Sequence, residues 1–169
     1  MRILGIMLAC ALAGPAIAGQ PQPVNLGPIN HAKAELVVVS PDGAQVSYSP
    51  SDIETFPTFR VETTTPWRNE PAQFDGVLLR DLLAANGMAE MPAIRVTAEN
   101  DFAVTIEREV WEDVDILVAT RVNNLPHSRR TRGPIQFVID QQAFEASTLT
   151  AERHLVWMAA RIEPVTGGQ

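Results

Sequence analysis

Alternation of apolar and polar residues is the clearest signal in this chain, and it predicts short strands. Glu35-Leu36-Val37-Val38-Val39 and Gln45-Val46-Ser47-Tyr48 flank Pro41-Asp42-Gly43. Proline fixes φ and glycine accepts a positive φ, so these pieces predict a hairpin. Ser49-Pro50-Ser51-Asp52 follows, with a capping hydroxyl, a proline at the first helical position and an acid at the third. A short helix ended by Pro57 is expected there. Phe59, Val61 and Thr63 alternate with Arg60 and Glu62, a strand pattern that runs into Thr63-Thr64-Thr65-Pro66-Trp67. After Phe74-Asp75-Gly76, the residues Leu78, Leu79, Leu82 and Leu83 fall on one helical face, and Asn86-Gly87 supplies a stop.

A second hairpin is predicted from Ile94, Val96 and Ala98, a turn at Asn100-Asp101, and Phe102, Val104 and Ile106. Glu107 to Asp113 reads as an acidic connection. Ile116-Leu117-Val118-Ala119 is uninterruptedly apolar and reads as a central strand. Ile135 to Ile139 reads as another strand, then a polar segment reaches Thr150, and Leu155 to Ile162 reads as a long final strand. One strong helix among many strands predicts an α+β fold with mixed, mostly antiparallel sheets.

The first residues change the picture of the compartment. Met1-Arg2 is a short basic start, Ile3 to Ile17 is apolar, and Ala16-Ile17-Ala18 matches a small-x-small cleavage site. Residues 1–18 are therefore expected to be a secretory signal peptide, too short and wrongly flanked for a transmembrane helix. Residues 19–34, rich in Pro, Gln and Gly, read as an extended lead-in, and residues 35–165 as one domain. The expected location is periplasmic, with no membrane insertion of the mature chain. Cys10 is the only cysteine and would leave with the signal, so no disulfide, thiolate ligand or cysteine nucleophile is expected afterwards. The formal charge is −7 over 169 residues, a balance that argues against nucleic acid or an anionic membrane surface as partner.

Against that acidic balance, Ser128-Arg129-Arg130-Thr131-Arg132-Gly133-Pro134 stands out. Arginine offers a planar fork of donors suited to carboxylates, phosphates and heteroaromatic edges. A concave anion or heterocycle site and a solvated basic loop closing a hairpin both fit these residues. His31, His127 and His154 are scattered, so a protein-ligated metal site is not expected. No G-x-S-x-G elbow, P-loop or G-x-G-x-x-G is present. What remains is three loops beside strand ends, carrying Thr63 to Trp67, Asn100-Asp101, and Arg121, Arg130 and Arg132. Hydroxyls, an amide, a carboxylate, guanidinium forks and an indole suit a flat, hydrogen-bonding heterocycle.

Together these loops resemble the small periplasmic proteins of the oxidoreductase molybdopterin-binding family. The matching pieces are Thr63-Thr64-Thr65-Pro66-Trp67, Phe74 to Leu83, Glu99-Asn100-Asp101-Phe102, Asp115 to Arg121, Leu125 to Pro134, and the late Trp157. The resemblance implies a sulfite-oxidase-like fold and a pterin-binding domain. Catalytic members hold molybdenum through a cysteine that the mature chain would lack. The short cysteine-free relatives look like sensors that bind a reduced pterin and report to an inner-membrane cyclic-di-GMP enzyme. The expectation is thus a non-catalytic pterin sensor without molybdenum. Its ligand residues would be Thr64, Thr65, Trp67, Asn100, Asp101, Arg121, Arg130 and Arg132. A molybdopterin-dependent oxidoreductase or redox subunit, and an interaction module with a vestigial pocket, are the alternatives.

Overall fold

The computed structural model describes residues 20–166; the expected signal peptide, with Cys10, lies outside the described residues. In chain order the strands are β1 Gln22–Pro23, β2 Leu36–Val39, β3 Gln45–Tyr48, β4 Thr58–Thr63, β5 Ala72–Leu78, β6 Ala93–Ala98, β7 Ala103–Glu107, β8 Ile116–Val122, β9 Leu125–Pro126, β10 Gln136–Ile139 and β11 Ala159–Val165. The helices are α1 Pro50–Ile53, α2 Leu79–Ala85, α3 Arg108–Asp113 and α4 Gln141–Ala146. Single 3-10 turns lie at Arg129–Thr131 and Glu152–His154.

The strands form two sheets. One runs β1-β4-β5-β8-β10 with β9 added beside β8; the other runs β3-β2-β11-β6-β7. Every pair is antiparallel except β2 with β11, which is parallel. The expected α+β class, with sheets mostly antiparallel, is the observed architecture. Leu36 and Val38 of one sheet, Val118 and Phe137 of the other, and Leu79, Leu82 and Leu83 of α2 share the main core. Each such leucine, fully buried, stabilises the fold by about 1.5–3 kcal/mol. A smaller apolar cluster uses the opposite side chains of β5 and β8, among them Phe74, Leu117 and Ala119.

Local chemistry explains most of these elements. Gly43 takes φ 87° in the first hairpin turn. Ser49 caps α1 while Asp52 Oδ2 accepts the Ser49 N–H at 2.8 Å, a complete capping box. Three expectations need correction. Leu78 ends β5 and only flanks α2, because β5 is buried on both faces and so shows no alternation. The segments read as connections at 108–113 and within 140–150 contain α3 and α4, each six residues long and too short to show a helical period. Asp140 caps α4, its Oδ1 accepting from Gln142 N at 2.9 Å and Ala143 N at 3.1 Å. The final strand begins at Ala159 and not at Leu155, since Met158 turns the chain at φ 54°.

Candidate functional site

A β-bulge decides where Arg121 goes. Asp75 pairs with Arg121 and Gly76 with Ala119, so Thr120 is an extra residue on β8. A bulge breaks side-chain alternation and turns neighbouring residues toward one side. Here Thr120 and Arg121 both reach Glu54. Thr120 Oγ1 donates to Glu54 Oε1 at 2.6 Å, and Arg121 donates from Nε at 2.8 Å and from Nη2 at 2.5 Å. His31 Nε2 lies 3.0 Å from Glu54 Oε1, close enough for an ion pair although not aligned as a hydrogen bond. Burial pushes the Glu54 carboxyl up, but hydrogen bonds from Arg121 and Thr120, with the His31 ring close by, outweigh it and hold the pKa below the usual glutamate value. Arg121 Nη2 also donates to the Gly27 carbonyl at 2.7 Å, so this cluster straps the lead-in to the sheet.

The arginine loop is built on His127. Its ring is 1% exposed and packs edge-on to Phe74, with centroids 6.2 Å apart. Nε2 donates to Gln136 Oε1 at 2.8 Å, which leaves Nδ1 as an acceptor facing the Thr131 hydroxyl at 3.2 Å. Burial pushes the His127 pKa below the usual imidazole value, the Gln136 bond offsets this in part, and nearby Arg68 adds to the lowering. Gly133 presses against this histidine: a Cβ there would meet His127 backbone and ring atoms at 2.6 Å. The loop turns through Arg132 at φ 79° and closes with a cis Gly133–Pro134 bond. Backbone bonds then join it to two other segments. Met158 N–H donates to Arg132 C=O at 3.1 Å, and Glu99 N–H donates to Met158 C=O at 2.8 Å.

Three adjoining clefts surround this junction. A polar cleft of ≈ 380 Å³ is lined by Thr65, Arg68, Arg130, Thr131, Arg132 and Gln136, with Trp67 and Trp157 as a wall. Across the same two indoles lies a smaller apolar cleft of ≈ 240 Å³, bordered by Asn100, Phe102 and Leu155. The third, ≈ 440 Å³, runs from Thr64, Thr65 and Arg68 to Phe144 and Leu155. Arg129 is paired with Glu99, Nε to Oε2 at 2.8 Å and Nη2 to Oε1 at 2.7 Å. No ion pair among the described residues engages Arg68, Arg130 or Arg132. Three guanidiniums without carboxylate partners on one polar cleft can bind an anion with several charged oxygens.

Of the residues singled out in the sequence, Thr64, Thr65, Trp67, Asn100, Arg130 and Arg132 line these clefts. Thr64 is held through its hydroxyl to Gln141. The Asn100 side chain accepts the Phe102 N–H at 3.3 Å and so shapes its own turn. Asp101 lies at φ 65° on the exposed side of that turn and lines none of the clefts. Arg121 is not brought to them either, being committed to Glu54. The residues assigned to the ligand from the sequence omit Arg68, Gln136 and Trp157, the last of which enters there only through the family resemblance. Arg68 follows Trp67 directly, and its Thr65 carbonyl bond at 2.9 Å makes the turn that aims it inward.

Among the described residues no cysteine occurs and no group of three or more His, Cys, Asp or Glu side chains could hold a metal ion. No family model matches the chain, and no curated protein matches it. Among solved structures it is similar to the sulfane dehydrogenase SoxCD from Paracoccus pantotrophus. That match has a TM-score of 0.58 at 13% identity and covers 78% of this chain and 38% of that one. The chain thus spans well under half of the length of that protein. At this identity the likeness is one of architecture: the chain has a mixed α+β fold like that of part of this dehydrogenase.

Proposed function

We propose that the chain is a binding protein for a flat, pterin-type heterocycle bearing an anionic side chain, and that it acts as a sensor outside the cytoplasm rather than as an enzyme. The observation that carries this reading is the polar cleft, where Arg68, Arg130 and Arg132 lack carboxylate partners beside a wall of two indoles. Guanidinium forks suit phosphate or hydroxyl oxygens, and indole faces suit an electron-poor ring. The residues fit the organic part of a molybdopterin-like group. They do not fit a thiolate-held molybdenum, because the described residues contain no cysteine, and no redox step is assigned to them. A partner at the inner membrane, such as a cyclic-di-GMP enzyme, would receive the signal. The apolar cleft edged by exposed Phe102 gives such a partner a place to sense the ligand.

The test is to express the chain with its leader, recover it from the periplasm, and identify the retained ligand by mass spectrometry while assaying molybdenum. The expected result is a pterin without molybdenum. A second reading, an oxidoreductase subunit, is favoured by the likeness to a sulfane dehydrogenase. Molybdenum at near one per chain would establish that reading in place of ours. For the anion site, Arg68→Ala and Arg130→Ala are each expected to weaken inorganic pyrophosphate by about tenfold, one charge-assisted contact each. Isothermal calorimetry checks this, and unchanged affinity in both variants would remove the cleft from consideration.

A further inference from the structure

The Arg132 guanidinium lies over both indole rings. Its guanidinium carbon lies 4.4 Å from the Trp67 ring centroid and 5.1 Å from that of Trp157. The same two rings wall both the polar and the small apolar cleft, so the guanidinium sits where the two clefts meet. A guanidinium is flat and cationic, which is what indole faces attract. The backbone at this point is held on both sides. Arg132 N–H donates to Arg129 C=O at 3.3 Å, and its own carbonyl accepts from Met158. No ion pair among the described residues ties the guanidinium itself. Movement here is therefore movement of the side chain.

We infer that Trp67 and Trp157 form a stacking slot for a planar, electron-poor ring, and that Arg132 is its internal occupant, swung out when the ring enters. The occupant defines the ligand class. An aminopyrimidine-type ring has the flat N–C(NH₂)–N outline of the guanidinium it replaces, with part of that edge donating. Leaving the slot carries Arg132 into the polar cleft beside Arg68 and Arg130. Ring entry and anion binding then favour one another, with the same coupling in both directions. The identity of the natural ligand rests on the pterin reading above; the slot itself rests only on the two indoles and the residue over them.

The decisive variant is Arg132→Gly. Glycine suits φ 79°, so the loop keeps its backbone while the slot is opened. Two probes separate the parts: biopterin, a flat pterin without phosphate, and inorganic pyrophosphate. Calorimetry and tryptophan emission are read for each. The variant is expected to bind biopterin about tenfold more tightly than the parent chain, because no cation–π contact need be displaced, with quenched tryptophan emission. It should bind pyrophosphate about tenfold more weakly, having lost one anchor. Adding Trp157→Ala to Arg132→Gly should abolish the gain for biopterin. Biopterin bound no more tightly by Arg132→Gly than by the parent, or a gain that survives loss of Trp157, would overturn the slot. If the parent retains no pterin from the periplasm and binds no pyrophosphate, the functional reading fails. The biopterin gain in Arg132→Gly would still establish the slot.

Discussion

Glu54→Ala is expected to lower unfolding stability at pH 7 by about 3–5 kcal/mol, the usual cost of leaving one member of a buried ion pair unpaired. The Glu54 and Arg121 side chains are 9% and 7% exposed, and both Glu54 oxygens accept from Arg121. Without the carboxylate, Arg121 keeps only the Gly27 carbonyl, while the Thr120 hydroxyl and His31 ring lose their partner. Glu54→Gln keeps one acceptor and should fall between the two. The pH profile gives an independent check. The folded pKa of Glu54 lies below its ordinary value of 4.5, so the folded state binds fewer protons than the unfolded one. Its contribution is complete above pH 4.5 and is lost as pH falls through the lower folded value. Urea melts across that range should be steeper with pH in the parent than in Glu54→Gln. Equal stability of parent and Glu54→Ala at pH 7 would show that this cluster does not clamp the lead-in.

Gly133→Ala should cripple the site without touching any arginine. The added Cβ meets His127 carbonyl and ring carbons at 2.6 Å, and His127 cannot retreat because Phe74 and Gln136 hold it. Overpacking of this kind costs about 1–3 kcal/mol. Relief comes from displacing the loop, which moves Arg130 and Arg132 together. Two lost contacts at tenfold each give roughly a hundredfold weaker pyrophosphate binding. Thermal melting and calorimetry on one sample test both effects. A variant that melts lower yet binds pyrophosphate as the parent does would mean that the loop's position is not set by this contact.

His127 adds a titration with the same sign. Its folded pKa lies below the ordinary 6.5, so the stability it contributes is present above pH 6.5 and declines as pH falls through the folded value. Protonation would also put a charge on a side chain that is 1% exposed and change its Nδ1 contact with Thr131. Affinity for sulfate, whose charge does not change in this range, should therefore fall on acidification, in spite of the added positive charge. Affinity that rises steadily toward pH 5 would show simple charge attraction and no role for the loop's support.

What the sequence conveyed and what it withheld follow the reach of each interaction. The two hairpins and α1 are written in adjacent residues: Pro41-Asp42-Gly43, Asn100-Asp101, and the Ser49–Asp52 capping pair. Leu78 and Leu155 to Trp157 misled because an apolar run has no period from which helix, strand and buried loop can be told apart. The bulge at Thr120 was illegible, since a bulge is a property of the pairing with β5 and not of β8 alone. It decides that Arg121 serves Glu54 while Arg130 and Arg132 face the clefts. The stacking of Arg132 on Trp67 and Trp157 joins three distant segments, and only the assembled sheets bring them together.

One pairing has a consequence for how the chain comes to be folded. β11, the last of the described strands, lies inside its sheet between β2 and β6. Until it arrives, those two strands offer raw edges to each other or to neighbouring chains. Loop closure between residues so far apart is slow, and unpaired edges invite aggregation. The nascent sheet thus stays pliable until β11 and the turn before it have been released. A nick or premature stop ahead of Ala159 would leave a sticky, half-zipped sheet rather than a slightly shorter protein.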